Sequence, residues 1–223
     1  MNPWGRCASR RSALHVSAKP GPIVDVTWDE SGVTQGFALF DTAIGTCALA
    51  WGPRGLVGAS LPSKSAATSR TFMRKRFPDA VESEPPADVQ IVIGDILALL
   101  QGEKRDFKTA KLDLEAIPAF HRRVYDIARA IPPGEVLTYG DVAKRLGDAS
   151  AARAVGQALG ANPFPIIIPC HRVLATGGKT GGFSAPLGLE TKMKMLTIER
   201  AKLDDKPSLF NDLPLAAKPR RQT

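Results

Sequence analysis

The apolar positions of residues 36–61 fall into three short runs, Gly36 to Phe40, Thr46 to Trp51 and Leu56 to Leu61. Gly52-Pro53-Arg54-Gly55 lies between the last two as a turn signal, so this stretch predicts a β-meander. Residues 64–77 are basic and suit a short exposed helix ending before Pro78. Residues 79–88, with Pro85-Pro86 and several acids, read as a loop. Val89, Ile91, Val92, Ile93, Ile96, Leu97, Leu99 and Leu100 predict a buried helix over 89–101, stopped by Gly102. Residues 103–116 read as a linker with a strand in it.

The second half is more regular. Ile117, Phe120, Val124, Ile127, Ala128 and Ile131 recur at helical spacing, and Pro132-Pro133-Gly134 ends that helix. Thr138-Tyr139-Gly140 leads into a short helix from Asp141 to Leu146, stopped by Gly147. Ser150 is a fair N-cap for a third helix, Ala151 to Leu159, with Gly160 as its stop. Two short helices joined by a brief turn match a helix-turn-helix, although an ordinary helical hairpin has the same pattern.

Composition narrows the class. In 223 residues, 43% are hydrophobic and 23% charged, and no apolar run approaches the roughly 20 residues of a membrane span. A soluble globular protein with no membrane association is expected. Cys7, Cys47 and Cys170 are too scattered for a disulfide framework and form no CxxC pair, which points to a reducing, cytoplasmic location. Cys7, Cys47, His15 and His121 show no metal-ligand spacing, so no metal is expected. Cys47 lies in an apolar strand and reads as core; Trp28 and Trp51 read as packing residues. The net charge of +8 is concentrated toward the ends, with four basic and no acidic side chains in residues 1–24. Charge alone is a weak argument for a polyanionic partner.

The chemistry sits in one segment. Ile166-Ile167-Ile168 is β-branched and apolar and reads as a short buried strand, followed at once by Pro169-Cys170-His171-Arg172. Cys170 is the natural nucleophile, but a free thiol is only a few per cent ionised at neutral pH and needs a base. His171 is a candidate, yet neighbours on an extended strand point to opposite faces, so the proton must pass through a bend or a water. For this dipeptide taken alone, a simply packed cysteine is the better reading.

The surroundings change that balance. Gly134-Glu135-Val136 with Thr138-Tyr139, Ala151 to Gly156, Asn162-Pro163 and Ile168-Pro169-Cys170-His171-Arg172-Val173 follow one another in order. Over residues 117–200 the chain thereby resembles the O6-alkylguanine-DNA alkyltransferases, suicidal DNA-repair proteins. The resemblance implies an α/β fold. It comprises an N-terminal ribonuclease-H-like α/β domain (25–112) and a C-terminal, mainly helical, winged-helix-like domain with the helix-turn-helix (113–203). A disordered basic arm (1–24) and a flexible tail (204–223) flank them.

The resemblance also implies roles. Cys170 takes the alkyl group from guanine O6, His171 acts as base through a water, and Glu199 orients His171. Asn162 ties the active-site turn together, Tyr139 donates a hydrogen bond to the leaving guanine, and Lys192 lies near that tyrosine. Arg153 fills the gap left by the extruded base, while Ala151, Ala152, Ala154 and Gly156 let their helix approach the minor groove closely. Backbone around Ser184 contacts O6. The guanine O6 lies within the base stack, so extrusion is a physical requirement for a compact protein. The implied partner is double-stranded DNA carrying O6-alkylguanine, with O4-methylthymine as a second candidate lesion, bound by a monomer with no obligate protein partner and no cofactor. The segment Phe183-Ser184-Ala185-Pro186-Leu187-Gly188 departs from the usual Tyr-Ser-Gly-Gly turn and leaves alkyl size preference open. Two alternatives remain: an alkyltransferase-like DNA-damage-binding protein without transfer activity, and a thiol hydrolase using Cys170 and His171.

Overall fold

The computed structural model describes residues 35–176 and 188–202. The predicted meander is present as β1 (Gly36–Thr42), β2 (Gly45–Gly52) and β3 (Gly55–Ser60), antiparallel neighbours with tight connections. A fourth strand, β4 (Val81–Glu82), pairs parallel with β1 inside the stretch expected to be a loop, giving the order β3-β2-β1-β4. Two residues carry too weak a pattern to announce a strand; the pairing comes from the free edge of β1. The strand expected within 103–116 amounts to a single bridge between Leu56 and Leu112.

Strand alternation divides the sheet into two apolar faces. On one, Phe37, Ala48 and Ala50 pack with Met73 of α1 (Ala66–Arg76). On the other, Cys47, Leu49 and Trp51 join Val92, Ile96 and Leu99 of α2 (Ala87–Leu100). That second cluster runs on without interruption through Val124 and Ala128 of α3 (Ala119–Arg129) to Ile167, Val173 and Met195. The sheet is therefore the floor on which the helical half rests.

In that half, β5 (Leu137–Thr138) pairs parallel with β6 (Val173–Leu174). Between them come α4 (Tyr139–Arg145) and α5 (Ala152–Gly160). α4 begins with a reciprocal cap: Thr138 Oγ1 accepts from Asp141 N at 3.0 Å, and Asp141 Oδ2 accepts from Thr138 N at 3.0 Å. Gly147 follows α4 with φ +89°, as a helix stop should. Ser150 is not the cap expected of it. Asp148 Oδ1 accepts from Ser150 N and Ser150 Oγ, starting a 3-10 turn over Ala149–Ala151 before α5. A carboxylate two residues upstream outcompetes the hydroxyl for the first free amide.

The largest correction concerns Ile166-Ile167-Ile168. All three are buried, but they form a turn, with Ile168 N donating to Phe164 O at 2.8 Å and Ile166 at φ +75°. Pro163, Pro165 and Pro169 lack the amide donors that a strand here needs. A β-branched residue in the left-handed region costs on the order of 1–3 kcal/mol, so surrounding packing must hold it. The last helix, α6 (Gly188–Ile198), ends before Glu199. Arg200 takes φ +54°, and Ala201 N and Lys202 N bond to Leu196 O and Gly134 O.

Candidate active site

The turn over 162–168 is closed by one side chain. Asn162 Oδ1 accepts from Phe164 N at 2.9 Å, and Asn162 Nδ2 donates to Ile168 O at 2.9 Å. Ala59 N at the end of β3 donates to Pro163 O at 2.8 Å, fastening the turn to the sheet. Cys170, His171 and Arg172 follow as a buried 3-10 turn. This bend replaces the extended chain that would have sent Cys170 and His171 to opposite faces.

Cys170 keeps 8% exposure, against 1% for Cys47 in the sheet. Burial pushes its thiol above the ordinary range, while the Asn162 amide and the positive charge of Lys192 partly offset that effect. Cys47 is pushed up to about 12 by burial and reads as inert core, as its strand position implied.

Behind the sulfur lies a buried charged network. Glu199 Oε1 is 3.0 Å from His171 Nε2, and both side chains are essentially inaccessible. Arg172 grips the same carboxylate in bidentate fashion, Nε to Oε2 and Nη2 to Oε1, each at 2.8 Å. Its Nη1 donates to Ile131 O at 2.5 Å. Burial alone would raise the Glu199 carboxyl, but hydrogen bonds from His171 and Arg172 and their charges hold it down at about 2. An ionised carboxylate can only accept, so it fixes the His171 tautomer with the proton on Nε2. His171 Nδ1 is then an unprotonated nitrogen, buried and without a partner among the described residues. Burial lowers the His171 pKa, so the ring is neutral near pH 7. Gly134 completes the nest: its φ is +89°, and a Cβ there would stand 3.1 Å from Glu199 O. A side chain at this position would push against the segment that holds the carboxylate.

Arg172 is the functional residue that sequence reasoning passed over. It stands in the motif segment, but nothing in a sequence separates a buried guanidinium from a surface one. Lys192 is fully buried, donates from Nζ to Val173 O at 2.8 Å, and is lowered to about 8 by burial, an effect that Cys170 opposes. Lys192 and the Glu199 carboxylate are thus both buried groups and not solvated surface charges. Tyr139, at the first turn of α4, is half-buried; burial and then the Cys170 charge raise its pKa, so it remains a donor near neutrality.

α5 turns Val155, Ala158 and Leu159 inward and leaves Arg153 exposed. Ala151, Ala152, Ala154 and Gly156 are half-buried, with Gly156 beside the Tyr139 ring, where a Cβ would meet Cε1 at 3.8 Å. That is ordinary contact, so alanine would fit. Tyr125 of α3 donates its hydroxyl to Ala158 O at 2.9 Å, and its pKa is raised to about 12 by burial and then by Cys170. It ties α3 to the helix bearing Arg153. Ser184 and the altered loop lie outside the described residues, as do the N-terminal arm, Trp28 and the tail. Among the described residues no helix is long and apolar enough to cross a membrane, and no three His, Cys, Asp or Glu side chains converge as metal ligands.

Fold and site together define a mixed α/β protein carrying a shielded cysteine backed by a histidine and a buried carboxylate. The family described as "6-O-methylguanine DNA methyltransferase, DNA binding domain" matches residues 119–201. The methylated-DNA–protein-cysteine methyltransferase of Methanothermobacter thermautotrophicus is 37% identical over 123 residues, 55% of this chain and 68% of that protein. The protein of the same name from Mycolicibacterium paratuberculosis is 37% identical over 129 residues, 58% of this chain and 76% of that one. The crystal structure of Mycobacterium tuberculosis O6-methylguanine methyltransferase superposes with a TM-score of 0.60 at 31% identity, over 74% of this chain and 93% of that one. A structure of the M. tuberculosis protein in complex with DNA superposes with a TM-score of 0.60, over 74% of this chain and 92% of that one. The chain belongs to the methylated-DNA–protein-cysteine methyltransferase family.

Proposed function

We propose that this protein repairs double-stranded DNA, as a monomer, by moving the alkyl group of O6-alkylguanine irreversibly onto Cys170. The observation that carries the reading is the tautomer-locked His171, with Nδ1 unengaged among the described residues, on the same short turn as the Cys170 thiol.

α5 enters the minor groove with its alanines close to the backbone, and Arg153 takes the place of the extruded base. The minor groove presents little sequence information, which suits a search for lesions in any context. The Cys170 proton passes through a water to His171 Nδ1, and Glu199 and Arg172 keep the ring in register. The sulfur attacks the alkyl carbon; the S–C bond forms as the O6–C bond breaks, and the electron pair stays with guanine. Tyr139 donates a hydrogen bond as guanine gains its proton, and the positive Lys192 favours the thiolate. The thioether has no good leaving group and no second nucleophile to clear it, so one transfer consumes one molecule. No step calls for an organic cofactor or a metal.

Mass spectrometry after incubation with an O6-methylguanine duplex tests this. One methyl on the Cys170 peptide, one repaired base per protein molecule and no transfer by Cys170→Ser are expected. Continued turnover with an unmodified Cys170 would replace the reading with a thiol hydrolase. Retained DNA binding without any modification would reject transfer.

A further inference from the structure

A second feature adjoins the reactive turn. A cleft of about 260 Å³ opens between the 103–108 segment and the end of α3, with Pro169 and Arg172 in its wall. Four more cations line it: Lys104, Arg105, Lys108 and Arg129, against Asp106 as the one lining acid. Some of this charge is already compensated. Arg105 pairs with Glu103 and Asp95, Lys108 with Asp106, and Arg172 with Glu199.

Arg129 differs. It is half-buried, its Nη2 donates to the carbonyls of Phe107 and Ala110, and its Nε is buried without a partner among the described residues. Both bonds go to neutral oxygens, and the charges of Asp126 and Asp106 offset its burial only in part. Burial lowers its pKa, the mark of a cation short of compensation. A buried N–H without a partner beside a charge only partly compensated is unfavourable, and an anion against the guanidinium would supply the missing charge.

We propose that this cleft binds a phosphate-type oxyanion, with Arg129 as its anchor and Lys104 and Lys108 at its mouth. The planar fork of arginine matches tetrahedral oxyanions, and lysines add charge from flexible stems. The volume is several times the roughly 30 Å³ share of one water, yet below the roughly 300 Å³ at which pockets for drug-sized molecules begin. The space suits a phosphate or pyrophosphate group. That group belongs either to a free small molecule or to the backbone of bound DNA.

The test is calorimetric titration of the full chain with inorganic pyrophosphate, with sodium chloride at matched ionic strength as the reference. A saturable heat with one site is expected. Arg129→Gln should abolish it; because Arg129 also braces Phe107 and Ala110, its fold is checked by circular dichroism. Lys104→Glu combined with Lys108→Glu touches only exposed side chains and should weaken binding by about tenfold or more. Repeating the titration with the protein saturated by undamaged duplex separates the sources. Loss of the heat assigns the site to a DNA phosphate, and its persistence to a free oxyanion. Heat no different from chloride, or affinity unchanged in the lysine double variant, overturns the proposal.

Discussion

Glu199→Gln is the sharpest probe of the network, because it keeps shape and removes charge. The carboxyl sits at about 2 in the folded protein against an ordinary value of 4.5. That difference corresponds to about 3 kcal/mol of folding free energy at neutral pH. An independent route agrees: removing one partner of a buried ion pair costs about 3–5 kcal/mol, because the other charge stays buried. Arg172, 3% exposed and gripping both carboxylate oxygens, would be that stranded charge. With a urea slope of about 1–3 kcal/mol/M, the unfolding midpoint should fall by about 1 M or more at pH 7. The pH dependence carries a sign. A carboxyl depressed by folding stabilises fully above its unfolded value and loses that contribution as pH falls from about 4.5 toward about 2. Wild type should therefore weaken more steeply across that window than the variant. The alkylation rate should fall by about 100-fold, since Gln no longer dictates which His171 nitrogen carries the proton. A midpoint shift below about 0.3 M, with an unaltered pH slope, would refute the ion-pair account.

Two further substitutions test separate parts. Arg153→Ala should slow repair of duplex DNA while leaving reaction with the free O6-alkylguanine base nearly unchanged, as single-turnover kinetics on both substrates would show; equal loss on both would remove Arg153 from base extrusion. Asn162→Ala strands the Ile168 carbonyl and the Phe164 amide and should cost about 1–3 kcal/mol by denaturant unfolding. Its transfer rate should fall as well, because the turn places the sulfur; a stable variant at full rate would show that the prolines hold the turn alone.

Much of this architecture was legible in advance, for identifiable reasons. The meander could be read because Gly52-Pro53-Arg54-Gly55 and the apolar runs agree on period and turn. α2 and α3 were legible from helical spacing, and Gly102 and Gly147, both at positive φ, marked the stops of α2 and α4. The isoleucine triplet misled because β-branching and burial say strand, whereas three prolines remove the donors and Asn162 supplies the bonds that close a turn. Spacing alone shows neither the depth at which Lys192 and Glu199 lie nor the ion pair of Arg172. Each depends on a contact more than ten residues away in sequence.

The two shifted groups at the centre make one last, linked prediction. Burial pushes the Cys170 thiol up and the His171 imidazole down, so the resting pair is thiol and neutral imidazole, with no thiolate–imidazolium pair. The sulfur is thus unreactive until a substrate is seated and the proton can move to Nδ1, which protects a residue that can be spent only once. Iodoacetamide should accordingly label Cys170 slowly at pH 7 and faster as pH rises past 9.0. Transfer from O6-methylguanine DNA should hold its rate down to and below pH 6.5, because acid must first protonate an imidazole whose pKa lies under that value. The same shift has a stability sign. The unfolded chain takes up the histidine proton first, so folding weakens as pH falls below about 6.5 toward the folded value. Repair that has already halved at pH 6.5 would show an imidazole that burial does not lower, and iodoacetamide labelling at pH 7 as fast as that of a free thiol would show a thiol that burial does not raise; either result overturns the assignment.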